Sequence, residues 1–386
     1  MKVLVVHNSY GRVSGEEVVV EAQVRALEAH ENASVSTYIL GPETTPKSLG
    51  GKILAFASGI FNPIQAIKFS RLINRSHPDI VHFHNIYPWI SHGPLLVCKR
   101  KKIPYVITAH NYRTVCPSAT LFSNGKPFRD GAEGRPRSVL FSNVFESRYK
   151  SLGYYLRFKI FKLLKIDEGA ACIVCVSNYV KQVLDYYTPC IKSEVVYNPV
   201  FLGGDLGGGR VEALHKSVAR VGFLGRFSEE KGALLFIEAA KKLPDVEFVV
   251  AGHSLVSMTN VPNNLRLLGA ISRGDVFRFF GGLDLLVVPS LWEETFGLIV
   301  VESVANSVPV LASNRGGLSE VTNLFPGCAV FDPDGDELAS SIQSFDSRLF
   351  YENLSKSKEL ILSCFSEECY ADRLLEVYSA IVKVSR

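Results

Sequence analysis

The stretch "DLLVVPSLWEETFGLIVVESVANSVPVLAS" (284–313) reads as strand, loop, helix and strand. "DLLVVPS" and "VPVLAS" are short apolar runs, and "GLIVVESVAN" begins a helix near Gly297. That is one βαβ step, the unit of a parallel sheet. The same alternation fills the chain on either side. Strand-like runs fall at 2–7, 34–40, 79–84, 104–110, 172–177 and 193–197, with helical periodicity at 16–30, 62–75, 91–101 and 178–187. Most runs are nearly continuous in Val and Ile, as strands covered on both faces must be. A second series follows at 219–225, 246–252, 265–269, 284–290 and 308–313. Between the series lies "FLGGDLGGGR" (201–210), five glycines in ten residues, which has the composition of a flexible connection. The pattern predicts two doubly wound α/β domains, 1–202 and 211–365, joined by a Gly-rich linker at 203–210. Helical stretches at about 335–362 and 366–384 close the chain. Open α/β sheets bind ligands at the carboxyl ends of their strands, so two facing domains predict a ligand cleft between them.

Composition narrows the function. The 386 residues are 47% hydrophobic and 21% charged, with a net charge of +4. So mild a charge does not suggest a nucleic-acid footprint, which needs a concentrated basic face. Eight cysteines without even spacing point to reduced thiols in a cytoplasm and not to a disulfide framework. Cys172 and Cys175 form a C-x-x-C on a strand, which sends the thiols to opposite faces and favours buried small hydrophobes over a redox or zinc pair. No run of about 18 uncharged apolar residues predicts a transmembrane helix. The opening "MKVLVVHNSY" is too short in apolar core for a signal peptide and reads as a first strand.

The opening stretch also carries Glu294 and Glu302 inside an apolar context. A buried carboxylate without a partner costs several kcal/mol, so each needs one, from the protein or from a ligand. The loop 291–296 ends a strand and precedes a helix N-terminus, whose free N–H groups and dipole suit a phosphate. Carboxylates beside it suit sugar hydroxyls, so the chemistry fits a phosphate flanked by polyols: a nucleotide sugar. The plainer alternative makes Glu293 and Glu294 helix-end acids and pairs Glu302 with a surface Lys. In "GFLGRFSEEKGALLFIEAA" (222–240), Arg226 and Lys231 bracket the loop after a strand, where they can neutralise a diphosphate. Alternatively Glu229 and Glu230 satisfy them. Gly15 begins a helix after the first strand without G-x-G-x-x-G, which argues against a dinucleotide site. His110 ends a strand and is expected to face a substrate. With His82 and His84 it suggests a zinc site that no acid or Cys pattern supports, and His82 reads as a core residue. "DPDGDELA" (332–339) has the Asp334–Glu337 spacing of a capping box, a better reading than a metal site.

Taken together, these pieces resemble the retaining glycosyltransferases of family 4, with the GT-B fold. The resemblance rests on "SGEE" (14–17), "HFHN" (82–85), "TAHNYR" (108–113), "CVSNYV" (175–180), "VYNPV" (196–200), "GRFSEEKG" (225–232) and "EETFGLIVVE" (293–302), in order along most of the chain. It implies two Rossmann-like domains facing across a cleft, with residues 366–386 crossing back to the first. Glu294 would hold hydroxyls of the transferred sugar, and the Phe296–Gly297–Leu298 backbone would cradle the distal phosphate. Glu302 would bind the ribose, Arg226 and Lys231 would stabilise the leaving diphosphate, and the Gly15 loop would approach the phosphates. His110 would contact the donor sugar near the reacting carbon. The family uses no catalytic metal and no cofactor beyond the nucleotide-diphosphate sugar. Two departures stand out: Ser307 where the family usually has Gly, and "SGEE" where "GGxE" is common. Residues 118–170 match least well.

The expected activity is a retaining, hexosyl-type glycosyltransferase acting on a glycan or lipid-linked glycan of a bacterial surface polysaccharide. Rival readings are an epimerase or phosphorylase of the same fold, or a non-catalytic nucleotide-sugar-binding scaffold. "YYLRFKIFKLLK" (154–165) as a helix sets Arg157, Lys159, Lys162 and Lys165 along one broad side. That side either rests on an anionic membrane surface, giving a cytoplasmic protein peripheral at the inner face of the plasma membrane, or belongs to an ordinary core helix.

Overall fold

In a computed structural model, the structure describes residues 1–9, 11, 14–41, 56, 58–142, 147–200, 218–256 and 261–385. The predicted linker at 203–210 lies outside them. The chain divides into two compact units, one of residues 1–124, 128–199 and 367–386, the other of 125–127 and 200–366.

The first unit holds a parallel six-stranded sheet. Its strands are β1 (Lys2–Asn8), β2 (Ser34–Leu40), β3 (Ile80–Phe83), β4 (Tyr105–Ala109), β7 (Cys172–Cys175) and β8 (Ser193–Val195), in the order β2-β1-β3-β4-β7-β8. The short strands β5 (Phe122–Ser123) and β6 (Lys126–Pro127) pair only with each other. The central strands are buried apart from exposed Lys2, whereas edge strand β2 has only half-buried and exposed positions. Crossover helices are α1 (Gly15–Ala29), α2 (Pro63–Ser76), α3 (Gly93–Lys101), α4 (Arg148–Leu163) and α5 (Asn178–Tyr187).

The second unit repeats the plan with β9 (Arg220–Leu224), β10 (Glu247–Ala251), β11 (Leu265–Gly269), β12 (Leu285–Val288), β13 (Val310–Ser313) and β14 (Ala329–Phe331). Their order is β11-β10-β9-β12-β13-β14, all parallel. Helices α6 (Ala233–Lys242), α7 (Arg273–Gly281), α8 (Leu298–Ala305) and α9 (Gly317–Thr322) connect them. The periodicity missed β14, whose three residues are too few to show an alternation. The stretch expected as one helix at 335–362 is three: α10 (Leu338–Gln343), α11 (Arg348–Glu352) and α12 (Leu354–Phe365).

The last helix, α13 (Glu367–Ser385), returns to the first unit. Its Tyr370, Leu374, Tyr378 and Ile381 join a core with Val3, Val5, Val20, Leu27 and Val106. Each such side chain fully buried contributes roughly 1.5–3 kcal/mol. Polar contacts fix the register: Arg25 pairs with Glu367 at 2.6 Å, and the Tyr370 hydroxyl donates to Gln23 at 2.9 Å.

Two expectations are corrected. Asp334 and Glu337 form no capping box: Glu337 itself is the N-cap of α10 and pairs with Lys242, while Asp334 pairs with Arg315. The turn is closed instead by Asp332 and Asp336, whose side chains accept from the main-chain N–H groups of Asp334 and Asp332. The four basic residues of 154–165 do not share a face. Arg157 turns inward beside Phe158 and Phe161, Lys162 pairs with buried Asp167, and Lys165 pairs with Glu168. The solvent face of α4 carries Arg148, Leu152, Lys159 and Leu163.

Candidate active site

In the second unit, β9 and β12 are sheet neighbours although they are the unit's first and fourth strands. Chain order reverses there, so the loops leaving their carboxyl ends diverge and open a crevice. The loop after β9 turns at Gly225 (φ 134°), and Phe227 anchors it. Phe227 is fully buried, and its N–H and carbonyl bond to His253 and Leu255. A single turn, Glu229–Lys231, leads to Gly232 (φ 79°), the residue before α6. A Cβ at Gly232 would overlap the Pro289 carbonyl oxygen. Glycine therefore lets the loop after β9 lie against the chain leaving β12, where the Leu291 N–H donates to the Glu230 carbonyl at 2.9 Å.

This contact brings Lys231 to Glu294, and Nζ and Oε1 form an ion pair with side chains 24% and 11% exposed. The Ser290 hydroxyl donates to the same oxygen at 2.6 Å, and Nζ lies 5.1 Å from the centre of the Trp292 ring. The Glu294 main chain is held by the Gly317 N–H, which donates to its carbonyl at 2.7 Å. Gly316 (φ 59°) permits that approach, since a Cβ there would meet the Glu294 carbonyl. The protein thus supplies a partner for Glu294, and it is the lysine that the sequence reading sets apart for a diphosphate.

The remaining second-unit residues gather on the loop into α8. Gly297 (φ 104°) precedes that helix, and no side chain caps it. Phe296 is 2% exposed and packs on Phe365, so its ring is structural and only its backbone suits a ligand. Leu298 opens the helix and Glu302 lies half-buried one turn along it. Arg226 is half exposed and pairs with Glu230 at 3.6 Å, one of the two acids the plainer reading assigns to it. Such a crevice can take a phosphate at the ammonium and the helix end, and hydroxyls at the carboxylates.

Gly15 and His110 belong to the first unit, where the chain order reverses between β1 and β3. Gly15 is the first residue of α1, whose N-cap Ser14 accepts the Glu17 N–H at 3.4 Å. The Glu17 carboxylate lies 3.3 Å from His7 Nε2. His110 Nε2 sits 2.8 Å from His84 Nδ1, and His84 stacks on His82 at 4.5 Å. His82 is fully buried between Tyr378 and Thr108, whose Oγ1 is 2.5 Å from Nε2. Burial, with repulsion from His110, pushes His82 down to about 3. Burial, with His7, pushes His110 down to about 3. These rings are neutral hydrogen-bonding groups at neutral pH. Among the described residues no group of three or more His, Cys, Asp or Glu is arranged to hold a metal ion.

Sequence reasoning missed Ser290, Trp292 and Gly316. The first two sit within four residues of Glu294 and the third is fixed by a positive φ, a signal that "NRGG" (314–317) carries only as a turn.

Comparison with known proteins gives a consistent result. A family model described as Glycosyltransferase Family 4 matches residues 13–202, and one described as Glycosyl transferases group 1 matches 210–356. A 42.6 kDa protein from the cps region of Klebsiella pneumoniae is 25% identical over 345 residues, covering 88% of this chain and 82% of that one. A D-inositol 3-phosphate glycosyltransferase of Mycobacterium sp. (strain KMS) is 34% identical over 287 residues, covering 70% of this chain and 59% of that one. Among solved structures, Anabaena Alr3699/HepE in complex with UDP-glucose superposes with a TM-score of 0.64 at 17% identity, covering 98% of this chain and 100% of that one. The chain belongs to glycosyltransferase family 4, the glycosyl transferases group 1, and has the GT-B fold.

Proposed function

We propose that this glycosyltransferase is a retaining, hexosyl-type enzyme that moves a sugar from a nucleotide-diphosphate donor to a glycan or lipid-linked glycan. The observation that carries the donor half is the Lys231–Glu294 pair at the β9/β12 crevice. There an ammonium meets the leaving diphosphate and a carboxylate meets sugar hydroxyls, so one pair divides a nucleotide sugar between its two polar groups. Arg226 and the uncapped start of α8 add positive potential toward the phosphates, an electrostatic stabilisation of the leaving group that needs no metal. Glu302 takes the ribose hydroxyls, and the Phe296–Gly297–Leu298 backbone takes the distal phosphate. The roles of His110 and Gly15 toward that donor rest on the resemblance alone.

The acceptor half is a bacterial surface polysaccharide intermediate, a reading supported by the relative from a cps region. No helix among the described residues is long and apolar enough to cross a membrane. The face of α4 with Arg148, Leu152, Lys159 and Leu163 exposed suits a peripheral seat on an anionic bilayer at the inner face of the plasma membrane. A thermal-shift panel of UDP, GDP, dTDP and CDP sugars tests the donor reading, with UDP-glucose as first probe because a protein of this fold holds it. A concentration-dependent rise in Tm for one base, abolished in Lys231→Ala, is the expected result. No shift with any member contradicts it.

A further inference from the structure

The first unit contains a cavity at the carboxyl ends of β3 and β4, lined among others by His84, Asn85, Tyr87, Arg113, Tyr154 and Arg157. Arg157 is the unusual member. It comes from α4, is only 9% exposed, and its guanidinium lies 5.2 Å from the Tyr87 ring centre and 5.0 Å from that of Tyr154. A Cβ at Gly59 would overlap its Nη2, so a glycine leaves the room that this head group fills. The Arg157 Nε makes no hydrogen bond, and among the described residues no carboxylate pairs with the side chain. Burial draws its pKa below the ordinary value, against the pull of Tyr154 and Tyr87. A buried cation without an anion costs several kcal/mol, and aromatic faces repay only part of that.

A second guanidinium shares the same rings. Arg113 lies 5.4 Å from the centres of both Tyr87 and Tyr154, and its Nη1 donates to Asn85 Oδ1 at 3.2 Å. Two cations held against one pair of tyrosines raise the positive potential of the cavity. Glu16 is the one acid among the described residues that line the cavity, against two arginines. A carboxylate ligand has two oxygens and is filled by one guanidinium fork. A phosphate has enough oxygens for two forks arriving from different elements. We propose that this cavity is a phosphate-binding site, in which Arg157 and Arg113 clasp a phosphate or diphosphate carried by the acceptor. Only the word acceptor rests on the glycosyltransferase function proposed above; the phosphate site stands on the cavity itself.

Calorimetric titration of the full chain tests it, with the donor crevice filled by the nucleoside diphosphate that the thermal-shift panel selects. Probes are inorganic pyrophosphate, glucose 1-phosphate, farnesyl diphosphate and glucuronate. One pyrophosphate bound per chain is expected. Arg157→Gln weakens it by about tenfold or more, the loss of one charge-assisted contact, and leaves nucleoside diphosphate binding unchanged. Tighter binding of farnesyl diphosphate than of glucose 1-phosphate supports a lipid-linked source, and the reverse order supports a free sugar phosphate. The proposal is overturned if no phosphate probe binds, if Arg157→Gln binds pyrophosphate as tightly as the parent, or if glucuronate binds as well as pyrophosphate. Should Arg157→Gln lose nucleotide binding through misfolding, Arg157→Lys decides: weakened pyrophosphate with nucleotide retained supports the site, and unchanged pyrophosphate overturns it. Failure of every nucleoside diphosphate to bind contradicts the donor reading and leaves the phosphate arms to be judged alone.

Discussion

The two units share one plan and differ at its centre. In the first sheet the reversal of strand order falls between β1 and β3, and in the second between β9 and β12. Each reversal opens a crevice at the strand carboxyl ends. The residues that line the two are opposite in character. Beside the first, at the ends of β3 and β4, stand buried neutral histidines and two arginines that share a pair of tyrosine rings. The second is built of a charge-matched lysine and glutamate on glycine-shaped loops. One architecture thus carries a cluster in which arginines share aromatic rings and a cluster in which a lysine and a glutamate balance each other.

The sharpest way to break this contrast is to remove one half of the second unit's pair. Lys231→Ala is expected to lower kcat/KM by about a hundredfold or more, the scale of losing one preorganised group at a developing negative charge. Initial-rate assays of donor turnover check it, and a change of only a few fold would remove Lys231 from the leaving-group role. Gly232→Ala comes next. It forces an alanine to φ 79° and drives a Cβ into the Pro289 carbonyl, and urea unfolding is expected to report a loss of about 2 kcal/mol or more.

Acid sharpens the comparison from the first unit's side. The rings of His82 and His110 are pushed down to about 3 and that of His92 to about 4, chiefly by burial, against an unperturbed value of 6.5. Between those values and 6.5 the unfolded chain binds more protons than the native one, so stability is whole above 6.5 and falls as pH drops toward the native values. Melting curves from about pH 7.5 to about pH 5 are expected to show that decline, and His82→Gln is expected to flatten it. The smallest effect belongs to Arg226→Gln. Its half-exposed pair with Glu230 is worth less than about 1 kcal/mol, so urea unfolding is expected to change little while nucleotide affinity falls.

The repeated βαβ layout was legible because Val- and Ile-rich runs and helical spacing are local properties. The glycines at 225, 232 and 297 were legible as loop residues, and the structure adds why each must be glycine or lie at a turn. What the sequence hid is distance. Nothing local says that position 231 meets position 294, because a main-chain contact between two loops sets that pairing. The stretch 154–165 is the instructive error. Counting charges made Arg157 part of a basic face, yet Arg157 stands four residues before Phe161 and therefore on the same side. Phe161 is core, so Arg157 goes inward with it.

The central claim is that the β9/β12 crevice holds the nucleotide sugar. Hydrogen–deuterium exchange of the full chain with and without the best-binding nucleotide sugar tests it most directly. Slower exchange confined in the second unit to 225–232 and 291–302 is the predicted result. Saturating binding that leaves both segments exchanging at their unliganded rates would contradict it.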